Sequence, residues 1–322
     1  MATVRTGNKR ILCMQVTTVI PAYNASSYLA SAIESALLQE GVSQQIVVVD
    51  DGSTDDTPSV LERFGDRIET IRQSNRGLSA ARNAGIHAAK GKYVAFLDAD
   101  DLWVPGKLAR QVAALEINPE AAMLHSQTVS WDPTTGIERP FVKAPSRDYR
   151  GACFSRLFQA NAICVSSVIA RTDWLQRLGG FDEQIVRPTT QDYDLWLRIA
   201  FESPILFIEE KGTRYRRHAS NASLQHQMML EDHIFVIRKT LSYGYERLKR
   251  EIGRQTAFLR LANLYHELGY WHYEQGEIGT ARDCFRSSCR YGRLDPRNLM
   301  FAFLPKVLLM YAARRHQSKL SA

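Results

Sequence analysis

Three aspartates, Asp98, Asp100 and Asp101, close the apolar run from Tyr93 to Leu97. Carboxylates this close repel one another unless a cation or solvent separates them. Asp98 and Asp100 are two residues apart, so in extended geometry they point to the same side. A hard divalent ion that also holds a diphosphate would use such a pair. The same composition also suits a solvated acidic loop that caps the helix starting near Pro105. Farther along, Gln191-Asp192-Tyr193-Asp194 opens a helical pattern, and a basic segment from Thr213 ends in His218.

The elements around these residues alternate. Val16 to Ile20 is a β-branched run ending in the turn Pro21-Ala22-Tyr23-Asn24. Ser26 or Ser27 caps a helix in which Leu29, Ile33 and Leu37 recur every four positions, and Gly41 closes it. Ile46 to Val49 is a second strand, ending in Asp50-Asp51-Gly52-Ser53-Thr54, and a helix follows at Ser59 to Phe64. Ile68 to Ile71 is a third strand, and Ala80 to Ala89 the helix before the strand Tyr93 to Leu97. Four strand–helix alternations predict a doubly wound, mostly parallel sheet, in which ligands bind at the carboxyl ends of the strands. Lys107 to Glu116 is helical, Ala122 to Trp131 a strand, 132–150 an irregular polar excursion, and Ala162 to Ala170 apolar and β-rich. Pro204 to Glu209 reads as a further strand.

Several function classes are excluded or disfavoured. Pro21-Ala22-Tyr23-Asn24 stands where a dinucleotide-binding dehydrogenase needs Gly-x-Gly-x-x-Gly. Residues 1–16 carry Arg5, Lys9 and Arg10 with no long apolar segment behind them, so no secretory signal is expected. No run reaches the ~18 apolar residues of a membrane span. The five cysteines are scattered without zinc-ligand spacing, which suits reduced thiols in a cytoplasmic protein. The net charge of +7 lies wholly in residues 225–322, with 16 Lys and Arg against 9 Asp and Glu. Such asymmetry predicts an anionic partner. With no nucleic-acid module, the expectation is a membrane surface rather than nucleic acid.

Six segments in order then resemble the family-two glycosyltransferases, which have the inverting GT-A fold. They are Val-Ile-Pro-Ala-Tyr-Asn (19–24), Val-Val-Asp-Asp-Gly-Ser-Thr-Asp (48–55), Asn-Arg-Gly-Leu-Ser-Ala-Ala-Arg-Asn-Ala-Gly (75–85), Phe-Leu-Asp-Ala-Asp-Asp (96–101), Gly-Gly-Phe-Asp-Glu (179–183) and Gln-Asp-Tyr-Asp-Leu-Trp-Leu-Arg (191–198). The resemblance implies an α/β GT-A domain over 16–224, after a tail at 1–15. It implies that Pro21 and Tyr23 line the base pocket and that Asp51 accepts from the base edge while Asp50 braces the turn. Arg82 would neutralise nucleotide charge or pair structurally with Asp51. Asp98 would take the ribose or a water on the metal, and Asp100 would ligate Mg²⁺ or Mn²⁺ across the diphosphate. Asp101 would alternatively cap the next helix. Asp192 takes the place of the general base that accepts the acceptor's proton. The chain has Gln191 where many relatives have Glu, which leaves this base less perturbed by a like charge. Asp194 reads chiefly as a first-turn acid of the helix. His218 is a candidate diphosphate or metal contact, or an ordinary histidine. Trp103 and Trp196 read as core, with Trp196 alternatively facing the acceptor.

Residues 225–322 read as a helical extension. Phe258 to Leu268 and Ala281 to Phe285 are two helices resembling a single tetratricopeptide-type hairpin, stopped at Asp295-Pro296. One copy makes no solenoid. The stretch Leu299 to Tyr311, followed by Arg314-Arg315-His316, suits either a terminal core helix or an amphipathic helix in a membrane interface. Together these readings predict a metal-dependent transferase of the cytoplasm, peripheral at the inner face of the membrane. It would move sugar from a nucleoside-diphosphate sugar, a UDP-sugar foremost, to a saccharide or lipid-linked acceptor in cell-surface polysaccharide synthesis. The alternatives are a polyprenyl-phosphate sugar transferase and a non-catalytic nucleotide-sugar-binding scaffold.

Overall fold

A computed structural model describes residues 14–141, 148–185, 189–218 and 226–303. The chain forms two compact units, one gathering Met1–Arg147, Ile163–Gly180 and Pro204–Arg216, the other Asp148–Ala162, Phe181–Ser203 and Arg217–Ala322. The chain thus passes between the units several times.

The first unit holds every strand among the described residues. In chain order its elements are β1 (Val16–Ala22), α1 (Leu29–Leu37), β2 (Gln44–Asp50), α2 (Thr57–Glu62), β3 (Glu69–Arg72), α3 (Leu78–His87), β4 (Tyr93–Phe96), β5 (Leu102–Trp103), α4 (Lys107–Glu116), β6 (Met123–Trp131) and β7 (Glu138–Pro140). After a segment of the second unit come β8 (Ile169–Arg171), the sixth helix (Thr172–Arg177) and β9 (Ile205–Arg216). The sheet order is β3-β2-β1-β4-β8-β6-β9-β5, with β7 on β6. β3, β2, β1 and β4 run parallel, β8 is antiparallel to β4 and β6, and β9 is parallel to β6. β1 and β4 are buried along their whole length, as strands in the middle of a sheet covered on both faces are. The edge strand β3 alternates instead.

The apolar core lies against α1, where Leu29, Ala32, Ile33 and Ala36 repeat at helical spacing over Val16, Ile20, Val48 and Ala95. α3 packs on the other face through small residues. A Cβ on Gly85 would collide with the side chain of Val19 on β1, so only glycine lets the helix come this close. That approach carries Arg82 inward, leaving it 2 % exposed.

The apolar run 162–170 is mostly not a strand. Val165–Ser167 forms a 3-10 turn, and only Ile169–Arg171 pairs in the sheet. The serines explain the difference, because the Ser167 hydroxyl donates to the Cys164 carbonyl and folds the backbone on itself. Conversely, the strand expected at 204–209 continues through the basic segment to Arg216.

The second unit is helical, with α5 (Phe154–Gln159), α7 (Gln191–Glu202), α8 (His226–Ile252), α9 (Arg254–Glu274), α10 (Ile278–Arg290) and α11 (Pro296–Phe303). α9 and α10 form the expected hairpin, with Gly269 lying against the Phe285 ring. Asp295-Pro296 does not end α10. It opens α11, where the Asp295 carboxylate accepts from the Asn298 amide and Pro296 stands first in the helix. The rest of the predicted amphipathic C-terminus, 304–322, lies outside the described residues, as does the N-terminal tail up to residue 13. No helix among the described residues is long and apolar enough to cross a membrane.

Candidate active site

β1, β2 and β3 end at a common level, and β4 ends three residues short of it. Ala22 of β1 stands opposite Asp50 of β2, and Val19 of β1 opposite Phe96 of β4. The residues that follow, Tyr23, Asp51 and Asp98, therefore line one edge of the sheet, and Pro21 is buried in β1 just behind. Tyr23 is 51 % exposed. Its neighbour Asn24 takes a positive φ of 49°. Asn24 is held there because its amide donates to Ser53 Oγ at 3.0 Å and its Oδ1 accepts from the Thr54 amide at 2.9 Å.

Asp50 braces its turn as expected: Oδ1 accepts from the Ser53 amide at 2.9 Å, and Arg72 lies 3.4 Å from Oδ2. Asp51 is 3 % exposed and binds the loop before α3. Its Oδ1 accepts from Gln73 Nε2 at 2.7 Å and the Arg76 amide at 2.9 Å, and its Oδ2 from the Gly77 amide at 2.8 Å. Arg82 pairs with Asp98, at 2.7 Å, and not with Asp51, whose two oxygens are already held by Gln73 and by the Arg76 and Gly77 amides.

Asp98, Asp100 and Asp101 offer ligand oxygens all within 4.8 Å of one another. Their surroundings separate them. Asp98 and Asp100 are partly exposed, whereas Asp101 is wholly buried. Asp101 Oδ2 accepts from Ser166 Oγ at 2.6 Å and Oδ1 from the Arg216 amide at 3.0 Å. Burial first, then the charges of Asp100 and Asp98, push its carboxyl well above the usual range. Asp101 does not cap α4, whose N-cap is Gly106. The donor set suits a hard divalent cation: two accessible carboxylates of one turn, with Asp98 Oδ1 already neutralised by Arg82.

Sequence reasoning missed the residues behind this turn. Ser166 was hidden in an apolar run, and Arg216 in a basic run whose last residue took the attention. Lys107 was also missed: it is 1 % exposed, donates to Gln111 Oε1 at 2.8 Å and lies 4.2 Å over the Trp103 ring. Burial holds its amine well below the ordinary lysine range. Only the aromatic neighbour four positions before it hinted at this.

In the second unit, Asp192 sits in the first turn of α7. Every other residue from Gln191 to Leu197 is buried, so Asp192 alone of that stretch reaches solvent. Its neighbours anchor the helix. The Tyr193 hydroxyl donates to the Leu157 and Phe158 carbonyls at 2.9 and 3.0 Å. Asp194, fully buried, lies 2.9 Å from Arg198 and 2.8 Å from Lys239, which also holds Asp182 at 2.6 Å. Trp196 is core, edge-on to Phe181, and in the first unit Trp103 is core as well. His218 belongs to the second unit, two residues beyond β9.

Comparison with known proteins agrees with this frame. Residues 17–179 match the model of glycosyl transferase family 2. A glycosyltransferase of Rickettsia felis is 31 % identical over 228 residues, 66 % of this chain, though the match spans only 36 % of that protein's length. The Escherichia coli UDP-Glc:alpha-D-GlcNAc-diphosphoundecaprenol beta-1,3-glucosyltransferase WfaP is 32 % identical over 216 residues, 65 % of this chain and 79 % of its own. Among solved structures, S. aureus TarS 1-349 in complex with UDP-GlcNAc aligns with a TM-score of 0.62 at 17 % identity, covering 94 % of this chain and 88 % of that one. With the strand-end carboxylates among the residues that the family model covers, the chain belongs to glycosyl transferase family 2 and has its GT-A fold.

Proposed function

We propose that this chain is a metal-dependent inverting glycosyltransferase that moves a sugar from a UDP-sugar to a hydroxyl of a saccharide or lipid-linked acceptor in cell-surface polysaccharide synthesis. The observation that carries the reading is the trio of carboxylates within 4.8 Å at the end of β4, beside the exposed Tyr23 at the end of β1. Tyr23 and Pro21 would face the base, and Asp51 would meet its edge with the lone pair left on Oδ2. Asp100, with the outer oxygen of Asp98, would hold Mg²⁺ or Mn²⁺. The ion would neutralise the charge that grows on the departing diphosphate. Asp192 would take the proton of the acceptor hydroxyl as its oxygen attacks the anomeric carbon from the opposite face. His218 is proposed as a further contact to the diphosphate or the ion.

The donor class is supported by the names of a relative and a structural neighbour, one acting on UDP-Glc and the other bound to UDP-GlcNAc. The E. coli relative's acceptor is lipid-linked. That favours a cytoplasmic enzyme working at the inner face of the membrane, where the excess cations of residues 225–322 would meet anionic headgroups. Asp192→Asn tests the chemistry. Transfer, followed as UDP release with a donor panel, should fall by at least about a hundredfold, while UDP binding persists. A variant that turns over like the wild type removes Asp192 from the mechanism.

A further inference from the structure

The turn that carries Asp98 and Asp100 is held from behind by two residues that touch neither a nucleotide nor a sugar in the reading above. Ser166, 0 % exposed in the 3-10 turn before β8, accepts from the Asp98 amide at 3.0 Å and donates to Asp101 Oδ2 at 2.6 Å. Its hydroxyl therefore ties the first residue of the turn to the last. Arg216, at the end of β9, supplies the second tie. Its amide donates to Asp101 Oδ1 at 3.0 Å and its Nε to the Asp100 carbonyl at 2.7 Å. Its guanidinium is fixed in turn by Ser31 Oγ at 3.0 Å and by the faces of Tyr28 and Trp131, 5.1 and 4.9 Å away.

The Ser166 backbone is anchored as well. Its carbonyl accepts from Trp103 Nε1 at 2.7 Å and Thr213 Oγ1 at 3.0 Å. The Asp98–Asp101 turn is thus gripped at its first amide, its third carbonyl and both oxygens of its last carboxylate. The two aspartates of the turn left partly exposed are Asp98 and Asp100. A buried carboxylate is a costly way to hold a loop, and the Ser166 hydroxyl and the Arg216 amide offset that cost at Asp101.

We infer that Ser166 and Arg216, acting through Asp101, are positioning residues that set the spacing and direction of the Asp98 and Asp100 carboxylates for a divalent cation. This rests on the metal reading of the site proposed above. Partners behind metal ligands commonly change metal affinity by about 10–100-fold when removed. The side chains here would do so by fixing the turn rather than by touching the ion.

The test is calorimetric titration of UDP into the full chain at a series of Mn²⁺ concentrations and in chelator, for wild type, Ser166→Ala, Arg216→Lys and Thr213→Val. Thr213→Val is the control, because it deletes one buried hydrogen bond to the Ser166 carbonyl, which keeps Trp103, and leaves the turn untouched. Ser166→Ala and Arg216→Lys should each raise the Mn²⁺ concentration needed for UDP binding by about tenfold. Metal-free UDP binding should stay at the wild-type level, and Thr213→Val should keep the wild-type Mn²⁺ dependence. Two variants guard against misfolding of either one, and thermal unfolding of each is measured alongside. An unchanged Mn²⁺ requirement in a folded Ser166→Ala or Arg216→Lys overturns the inference. So does an equal rise in Thr213→Val. If the wild type binds UDP equally with Mn²⁺ and with chelator, the metal reading fails and takes this inference with it.

Discussion

Arg82 and Asp98 form a 2.7 Å ion pair in which the guanidinium is 3 % exposed and the carboxylate 27 %. The helix that brings Arg82 there lies close on β1 only because Gly85 has no side chain. Local sequence, helix packing and site electrostatics thus meet in one contact.

Removing one member of a buried pair strands the other charge. Arg82→Ala should destabilise the protein by about 2 kcal/mol, less than for a fully buried pair because water reaches Asp98. Arg82→Lys keeps the charge but loses the planar fork, and should fall between the two. Urea unfolding curves check both.

Gly85→Ala places a methyl group into Val19. The expected cost is about 1–3 kcal/mol, the usual range for overpacking. A melting temperature equal to the wild type's would show that α3 can lift from the sheet freely.

Asp192 and Asp194 should separate cleanly although they are two residues apart. Asp192→Asn should leave stability within about 0.5 kcal/mol, as at an unburied position. Asp194→Asn leaves Arg198 and Lys239 facing a neutral group in the interior and should cost about 3 kcal/mol. Thermal unfolding of the two variants side by side reads the difference.

Burial holds the His233 imidazole down to about 4, the carbonyl of Met229 opposing that shift and Arg260 adding to it. In the unfolded chain the ring titrates near its ordinary value of about 6.5. Between those values the unfolded chain binds a proton that the folded chain does not. The stability tied to this group is therefore whole above about pH 6.5 and is lost as pH falls toward 4, by at most about 3 kcal/mol. Urea midpoints at pH 7.5 and pH 5 should differ accordingly, and His233→Phe should flatten that difference.

The parallel half of the sheet was legible because β1, β2 and β4 are buried, and so carry a β-branched run in β1 and apolar runs in β2 and β4. The stretch 162–170 misled for the same reason: its apolar composition reflects burial, while Ser166 and Ser167 bend it into a turn. Asp98 and Asp100 could be read from their spacing. The role of Asp101 could not, because its partners Ser166 and Arg216 lie 65 and 115 residues away in the chain. Arg82 was recognisable as important, but its choice of Asp98 over Asp51 depends on the loop before α3, which holds both Asp51 oxygens. The buried state of Lys107 likewise follows from its surroundings: it sits over Trp103, and its stem lies against Gly212.

The account depends most on Asp100 and Asp98 holding a diphosphate through a divalent ion. Calorimetry of UDP binding to the wild type and to Asp100→Asn, each with Mn²⁺ and with chelator, addresses that directly. The expected result is binding to the wild type that weakens at least about tenfold in chelator, and an Asp100→Asn variant equally weak in both conditions. Wild-type binding of the same strength with and without Mn²⁺, or an Asp100→Asn variant that still responds to Mn²⁺ as the wild type does, would contradict it.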